Sequence, residues 1–158
     1  MNKLNLMTEE GLKKLKTELD MLIREERPKI SKQIAEARDK GDLSENAEYE
    51  AAKEAQGLLE MRIAQLEERI RTAKIVKAED FDTSKVQLLT KVSLKNLATG
   101  QEIEYSIVPD GEGDLKQNKI SVSTPIAKGL IGKRVGETVE ITVPAGTLKF
   151  EILNVSLL

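Results

Sequence analysis

The fold of this chain is decided by residues 41–49, which read GDLSENAEY. The stretch lies between two long segments in which apolar residues recur at spacings of three and four, the pattern of amphipathic helices. Lys40 and Gly41 form a typical helix ending, because a cation suits the last turn and a glycine easily adopts the left-handed conformation just beyond it. We therefore predict a helical hairpin whose tip is this stretch.

Two carboxylates in this stretch have two compatible interpretations. Asp42 is the predicted N-cap of the second helix and Glu45 lies at its third position, an arrangement known as a capping box. On spacing alone we favour capping, since capping boxes are common. In the functional interpretation the same two carboxylates face outward and share a divalent cation such as Mg²⁺, which takes oxygen ligands and is often held by one or two carboxylates.

The first arm of the hairpin is predicted to be one long helix that begins after Thr8. Pro28 should remove one backbone hydrogen bond and kink this helix. The apolar stripe nevertheless resumes on the same side beyond Pro28, which indicates one bent helix with a local unwinding rather than two helices. The predicted seam residues of this arm are Leu12, Leu15, Leu19, Leu22, Ile30, Ile34 and Ala37.

The second arm has a more regular seam with charged residues on its other faces. Near the tip the seam narrows to alanines, which predicts a slender tip in which the two helices approach closely. The predicted seam residues of the second arm are Ala52, Leu59, Ile63, Leu66, Ile70 and Ala73, and the alanines near the tip are Ala37, Ala47, Ala51 and Ala52.

The period of the apolar residues changes from helical to strand-like near residues 77–80, where we place a domain boundary. We predict an α+β protein: an antiparallel coiled-coil hairpin over residues 1–77 and an antiparallel β-sheet domain over residues 78–158. Thr124 and Pro125 open a short helix in the second domain. The predicted strands are 86–94, 101–108, 119–123, 137–143 and 147–155, with an exposed loop at 109–114.

Composition excludes several classes of protein. The chain has 158 residues and a formal net charge of −2, which argues against binding free nucleic acid through overall charge. It contains neither cysteine nor histidine, so disulfides, thiol nucleophiles, cysteine-ligated zinc and histidine general bases are absent. No apolar run is long enough to cross a membrane and no apolar signal region is evident. We expect a cytoplasmic monomer.

Three residues beside the two acids are further candidates for a site. Arg38 and Lys53 either pair with nearby acids and solvate the helix faces, or contact phosphate beside the metal. Tyr49 either stacks on a base or packs across the hairpin tip, which we favour.

Two motifs resemble the bacterial Gre transcript cleavage factors. The first is GDLSENAEY at 41–49, followed by Ala51, Ala52, Lys53 and Glu54. The second is KQNKISV at 116–122, followed by STPIAKGLIGK at 123–133. Both occur in the order found in the family, and the likeness covers essentially the whole chain.

The resemblance implies a function in transcription. Such factors bind bacterial RNA polymerase and insert the hairpin through its secondary channel, where the tip acids complete a Mg²⁺ site beside the polymerase's own catalytic metal. Backtracked RNA is then cleaved, which leaves a new RNA 3′ end at the active site. The protein would thus supply ligands in trans and not be an enzyme by itself. The C-terminal half would be an FKBP-like domain that docks on the polymerase rim.

The resemblance also assigns roles to residues. Asp42 and Glu45 fall on the family's two metal-coordinating acids, and Arg38 and Lys53 on its basic positions near the tip. The family often has arginine where this chain has Lys53, and a basic residue is common where it has Ser44. Lys53 would offer phosphate a point charge and not a bidentate fork, which leaves its role open, and Ser44 would weaken contact with RNA slightly.

Three other classes of protein remain as alternatives. A prolyl isomerase would use the FKBP-like half, but that half has few aromatics to line a pocket and fold alone does not carry function. A channel inhibitor without cleavage activity would keep the rod and alter the tip acids, and both acids are present. A coiled-coil scaffold would explain the rod but not the acidic tip.

Overall fold

The computed structural model describes residues 5–41 and 46–158. It confirms the predicted α+β class, with a helical hairpin followed by a β-sheet domain. The chain forms two compact units: the first contains Asn5 and residues 10–73, and the second contains residues 6–9 and 74–158. Within the described ranges, no helix has the length and apolar character needed to span a membrane.

The first unit consists of two helical arms. The first arm is helical without interruption, and the second is a single helix of 25 residues. In chain order the helices are α1 (Glu9–Met21), a π-helical segment (Leu22–Glu26), α2 (Arg27–Asp39) and α3 (Ala47–Arg71).

The predicted passage of one helix through Pro28 is confirmed, and the local unwinding takes the form of a π-helical turn. The N–H of Arg27 donates to the carbonyl of Leu22, five residues earlier. Pro28 follows in the first turn of α2, where a missing N–H is best tolerated. The wider turn therefore ends two residues before Pro28, which has no N–H to donate to the helix.

The apolar seam between the arms is largely as predicted. Its most buried residues are Ile34 and Ala37 on α2 and Ala52, Leu59, Ile63 and Leu66 on α3. The seam residues of the first arm up to Ile30 are half-buried. The assignment of Ala47 and Ala51 to the seam was wrong, because both are exposed, with Ala51 about 100° around the helix from Ala52.

Two ion pairs connect the arms beside this seam. Arg62 binds Glu18 with a closest distance of 2.8 Å, and Arg27 binds Glu60 at 2.7 Å. The guanidinium of Arg27 also donates from Nε to the second carboxylate oxygen of Glu60 at 2.8 Å, so this pair is bidentate. Such geometry fixes which residues of the two arms lie opposite one another.

The second unit is built on a five-stranded sheet of order β5-β4-β3-β7-β6. It is not wholly antiparallel as predicted, because β5 runs parallel to β4 while the other neighbours are antiparallel. The strands of the chain are β1 (Asn5–Met7), β2 (Ala73–Ile75), β3 (Thr90–Asn96), β4 (Glu102–Val108), β5 (Lys119–Ser121), β6 (Thr138–Val143) and β7 (Gly146–Leu157).

A short helix, α4 (Pro125–Leu130), packs on this sheet. Its predicted cap is confirmed, since the hydroxyl of Thr124 accepts from the N–H of Ala127 at 3.2 Å. Gly129 allows the close approach of helix and sheet, because a Cβ there would lie 2.8 Å from Cγ1 of Ile141. The shared core includes Leu94, Ile107, Leu130, Phe150 and Ile152.

Strand β3 begins later than predicted because a turn precedes it. The hydroxyl of Thr90 donates to the carbonyl of Gln87 at 2.6 Å and accepts from the N–H of Gln87 at 3.1 Å. Leu89 takes a left-handed conformation with φ of 61°. These contacts hold residues 86–89 out of the ladder, although Val86 is fully buried.

The loop at 109–114 was predicted to be exposed, but part of it is built into the second unit. The side chain of Pro109 is almost wholly buried. The carboxylate of Glu112 accepts from the N–H of Thr8 at 2.9 Å and from its hydroxyl at 2.5 Å. Helix α1 begins at Glu9, directly after Thr8, so Glu112 fixes the residue from which that helix starts.

Candidate functional site at the hairpin tip

The first arm ends as the sequence predicts. The last residue of α2 is Asp39, Lys40 forms the C-cap, and Gly41 adopts a φ of 114°. The N–H of Gly41 donates to the carbonyl of Arg38 at 3.2 Å. Glycine suits this position because residues with a Cβ are strained at such angles.

The second arm begins four residues later than predicted. Its N-cap is Asn46, whose side-chain oxygen accepts from the N–H of Tyr49 at 3.1 Å. The prediction that Asp42 caps this helix with Glu45 at the third position was therefore wrong. Asparagine caps as well as aspartate does, so the stretch NAEY at 46–49 was an equally good signal that sequence reasoning passed over.

The two predicted metal ligands, Asp42 and Glu45, lie outside the described residues, and their role as ligands stays a prediction. Among the residues that are described, no group of three or more carboxylates is placed to hold a metal ion. The tip geometry that can be described is that of the residues on either side, from Ala37 to Gly41 and from Asn46 onward.

Asn46 also connects the two arms. Its side-chain nitrogen donates to the carbonyl of Ala37 at 2.6 Å, while its side-chain oxygen caps α3. Ala37 lies in the last turn of α2, and its carbonyl also accepts from the N–H of Lys40 at 3.3 Å. One amide therefore bonds both to a carbonyl at the end of α2 and to an N–H at the start of α3.

An ion pair forms a second connection. The ammonium of Lys40 lies 2.7 Å from the carboxylate of Glu48. Hydrogen bonding to Glu48, and then the attraction of its charge, raise the pKa of Lys40 above its ordinary value. Lys40 thus stays fully protonated, and its charge is directed at the first turn of α3.

Arg38 and Tyr49 form the third connection. The guanidinium carbon of Arg38 lies 5.9 Å from the centroid of the Tyr49 ring, within the range of a cation–π contact. Tyr49 is half-buried and Arg38 is exposed. Of the two interpretations of Tyr49, the structure supports packing across the tip. For Arg38, no ion pair with an acid is found among the described residues.

Lys53 stands apart from these three connections. Its ammonium donates to the side-chain oxygen of Gln56 at 2.9 Å on the same helix. The acid partner considered for it is not found in the described part of the chain. Lys53 follows Tyr49 by four residues on α3, so the two side chains leave the same face of the helix.

A groove of about 330 Å³ runs along the hairpin next to these contacts. Alanines from both arms line it, and Glu36, Lys40 and Glu48 are the charged residues along it. That small side chains make the tip slender stays a prediction. Near this groove Arg38 and Lys53 are exposed and Tyr49 is half-buried.

Comparison with known proteins identifies the family. Residues 5–75 match the family model described as transcription elongation factor, N-terminal, and residues 81–157 match the one described as transcription elongation factor, GreA/GreB, C-term. A transcription elongation factor GreA of Flavobacterium johnsoniae is 59% identical over 156 residues, covering 99% of both chains. One of Christiangramia forsetii is 55% identical over 155 residues, covering 98% of both chains.

A solved structure titled as the GreA factor homolog 1 protein of Thermus thermophilus is 26% identical, and the match covers 95% of this chain and 97% of that one. Its TM-score is 0.43, so the assignment rests on the sequence matches instead. Both family models and near full-length relatives agree, and the chain belongs to the GreA/GreB family of transcription elongation factors.

Proposed function

We propose that this elongation factor inserts its hairpin tip into the secondary channel of bacterial RNA polymerase and stimulates cleavage of backtracked nascent RNA. It would act as a monomer in the cytoplasm, and the sheet domain would dock on the polymerase rim. The observation that carries the proposal is the tip itself. Three connections hold the ends of two long helices together around a four-residue segment that contains Asp42 and Glu45.

Asp42 and Glu45 would hold Mg²⁺ jointly with the polymerase. Their carboxylates are the oxygen ligands that this cation prefers, and two of them alone would bind it weakly. When bound, the cation would stabilise charge on the oxygens of the scissile phosphodiester. The chain has no histidine or cysteine to perform such chemistry unaided, which supports a role completed by a second protein.

The basic residues beside the acids would orient the RNA. Arg38 is exposed, and Tyr49 holds its guanidinium near the start of α3, where it can reach a phosphate. Lys53 carries a second positive charge on the side of α3 that Tyr49 shares. The ring of Tyr49 would support Arg38 and would not stack on a base.

The test is RNA cleavage by a backtracked polymerase complex with and without this protein. We expect Asp42→Asn and Glu45→Gln each to reduce cleavage to the level of polymerase alone, with partial recovery at raised Mg²⁺. Because Asn46 and not Asp42 caps α3, neither change should alter helicity. Polymerase binding should also survive, since most of the surface is untouched.

Glu50→Gln is the matched control. Glu50 is an exposed carboxylate in the first turn of α3, so its removal changes the charge of the tip by the same amount. The Glu50→Gln protein should stimulate RNA cleavage as the wild type does. Normal cleavage by both Asp42→Asn and Glu45→Gln would refute the proposal and favour a channel inhibitor or a scaffold.

A further inference from the structure

Helix α3 carries a second row of residues on a face that is separate from the seam with the first arm. The row recurs at spacings of four and three residues, with which helices pack in coiled coils. Its two large members, Leu58 and Met61, are 61% and 58% exposed, whereas Leu59 of the seam is 9% exposed. The whole row, which we call the outer row, is Ala47, Ala51, Glu54, Leu58, Met61 and Gln65, and all six residues are exposed.

The outer row is poor in charge compared with the rest of the surface of α3. Apart from Gly57 and Ala64, every exposed position of this helix outside the row holds a charged side chain. Within the row, only Glu54 is charged. Single exposed apolar side chains are ordinary, but apolar residues aligned on one face and depleted of charge are typical of an interface.

We propose that the outer row is a docking surface for a helix of RNA polymerase, an inference that rests on the proposed function. From Ala47 to Gln65 the row extends about 27 Å, at about 1.5 Å per residue. A straight, narrow row of this length with coiled-coil spacing matches the side of another helix, whose apolar side chains would pack around Leu58 and Met61.

Glu54 specifies the charge of that helix. Its carboxylate has no ion-pair partner within the described residues, and a helix laid on the outer row would remove it from water. Burying a carboxylate is costly unless a cation faces it. The docking helix should therefore carry a lysine or arginine opposite Glu54, beside the apolar residues that cover Leu58 and Met61.

A second copy of this chain would fit the outer row less well. If two rows overlapped fully, antiparallel copies would set Glu54 against Leu58, and parallel copies would set Glu54 against Glu54. Arg62, the cation on the adjoining face, is already bound to Glu18 at 2.8 Å. Self-association would therefore bury carboxylates without cations, which favours a basic helix of the polymerase as the partner.

The first experiment measures the protein concentration that gives half-maximal RNA cleavage by a backtracked polymerase complex. We expect Leu58→Gln combined with Met61→Gln to raise this concentration by about 10-fold or more, because two apolar contacts are lost. The maximal rate at saturation should stay close to wild type, since the tip is unchanged. Glutamine is a good helix former, so the helicity of the free protein should also be unchanged.

Two further variants test the specificity of this effect. Met21→Gln is the matched control, because Met21 is 42% exposed but lies on α1, away from the outer row. It should leave the half-maximal concentration unchanged. Glu54→Lys should raise that concentration, since it would set two cations against each other. A wild-type value for Glu54→Lys would overturn the assignment of a basic helix.

A photo-crosslinking amino acid in place of Leu58 identifies what covers the outer row. Crosslinks to a helical segment of the polymerase would support the inference, and crosslinks only to a second copy, or none at all, would overturn it. If the wild type stimulates cleavage and the variant with both glutamines has the same half-maximal concentration, the inference fails and the proposed function stands. Normal cleavage by Asp42→Asn and Glu45→Gln, with crosslinks to the polymerase, would refute the proposed function alone.

Discussion

Arg38 in the last turn of α2 lies over the ring of Tyr49 in the first turn of α3, with 5.9 Å between the guanidinium carbon and the ring centroid. The two residues are eleven positions apart in sequence and belong to opposite arms of the hairpin. Their contact gives the exposed arginine a defined place at the end of α2, because the half-buried ring restricts where the guanidinium can lie.

The first prediction concerns this ring. Tyr49→Leu should destabilise the hairpin by about 0.5–1 kcal/mol, the usual worth of an exposed cation–π contact. For a chain of this size we expect the unfolding temperature to fall by roughly 1–4 °C. Tyr49→Phe keeps the face of the ring and should behave as the wild type. The measurement is thermal unfolding by circular dichroism. If Tyr49→Leu and Tyr49→Phe lower the unfolding temperature equally, the ring does not act through Arg38.

The second prediction is a pH dependence. Two hydrogen bonds from Arg27 hold the pKa of Glu60 below its ordinary value of 4.5. The unfolded chain therefore takes up a proton at this carboxyl more readily than the folded chain does. The stabilisation from this pair is present above about pH 4.5 and is lost as the pH falls below that value.

Glu60→Gln should remove this part of the pH dependence. We expect the difference between unfolding temperatures at pH 7 and pH 3.5 to be smaller in Glu60→Gln than in the wild type. Glu54→Gln is the control, since Glu54 is exposed and has no ion-pair partner within the described residues. A pH dependence that is the same in Glu60→Gln and the wild type would contradict the assigned role of the Arg27 pair.

Sequence periodicity was enough to predict the hairpin because burial on a helix follows a fixed spacing. Ile63 and Leu66 were predicted in the seam and are almost wholly buried. The helix ending at Gly41 was predicted for a similar reason, since only glycine takes that backbone angle at little cost. Such features depend on neighbours within one or two turns, and a sequence contains that information directly.

Features that depend on two distant residues were missed. The contact between Thr8 and Glu112 joins residues 104 positions apart, and no local pattern marks it. The parallel pairing of β5 with β4 also depends on topology beyond the strands themselves. At the tip, Asp42 and Asn46 were both acceptable caps, and the choice of Asn46 coincides with its second bond to Ala37.

The last prediction concerns the π-helical turn at Leu22–Glu26. A π-helical turn contains one residue more than the α-helical turn it replaces. Pro28 lies two residues after Glu26, and in a regular helix its ring would clash with the carbonyl four residues earlier. We therefore expect that the extra residue is present because it accommodates Pro28. It would do so without turning the seam of α1 or of α2 away from α3.

A pair of changes and their combination test this relationship. Deleting Glu25, which is exposed, should convert the π-helical turn to an α-helical one and place the proline in a regular helix. We expect a loss of about 3 kcal/mol, the cost of an interior proline. That corresponds to a fall of roughly 6–12 °C in the unfolding temperature. Pro28→Ala alone should leave stability equal to or slightly above that of the wild type.

The combined variant decides the outcome. With alanine at position 28, deletion of Glu25 should cost little, because a regular helix can then run through this point with both seams still facing α3. The two changes should therefore couple strongly in a double-mutant cycle measured by thermal unfolding. The deletion of Glu25 could instead lower the unfolding temperature equally with proline and with alanine at position 28. That result would show that the extra residue serves the packing of α1 against α3 and does not accommodate the proline.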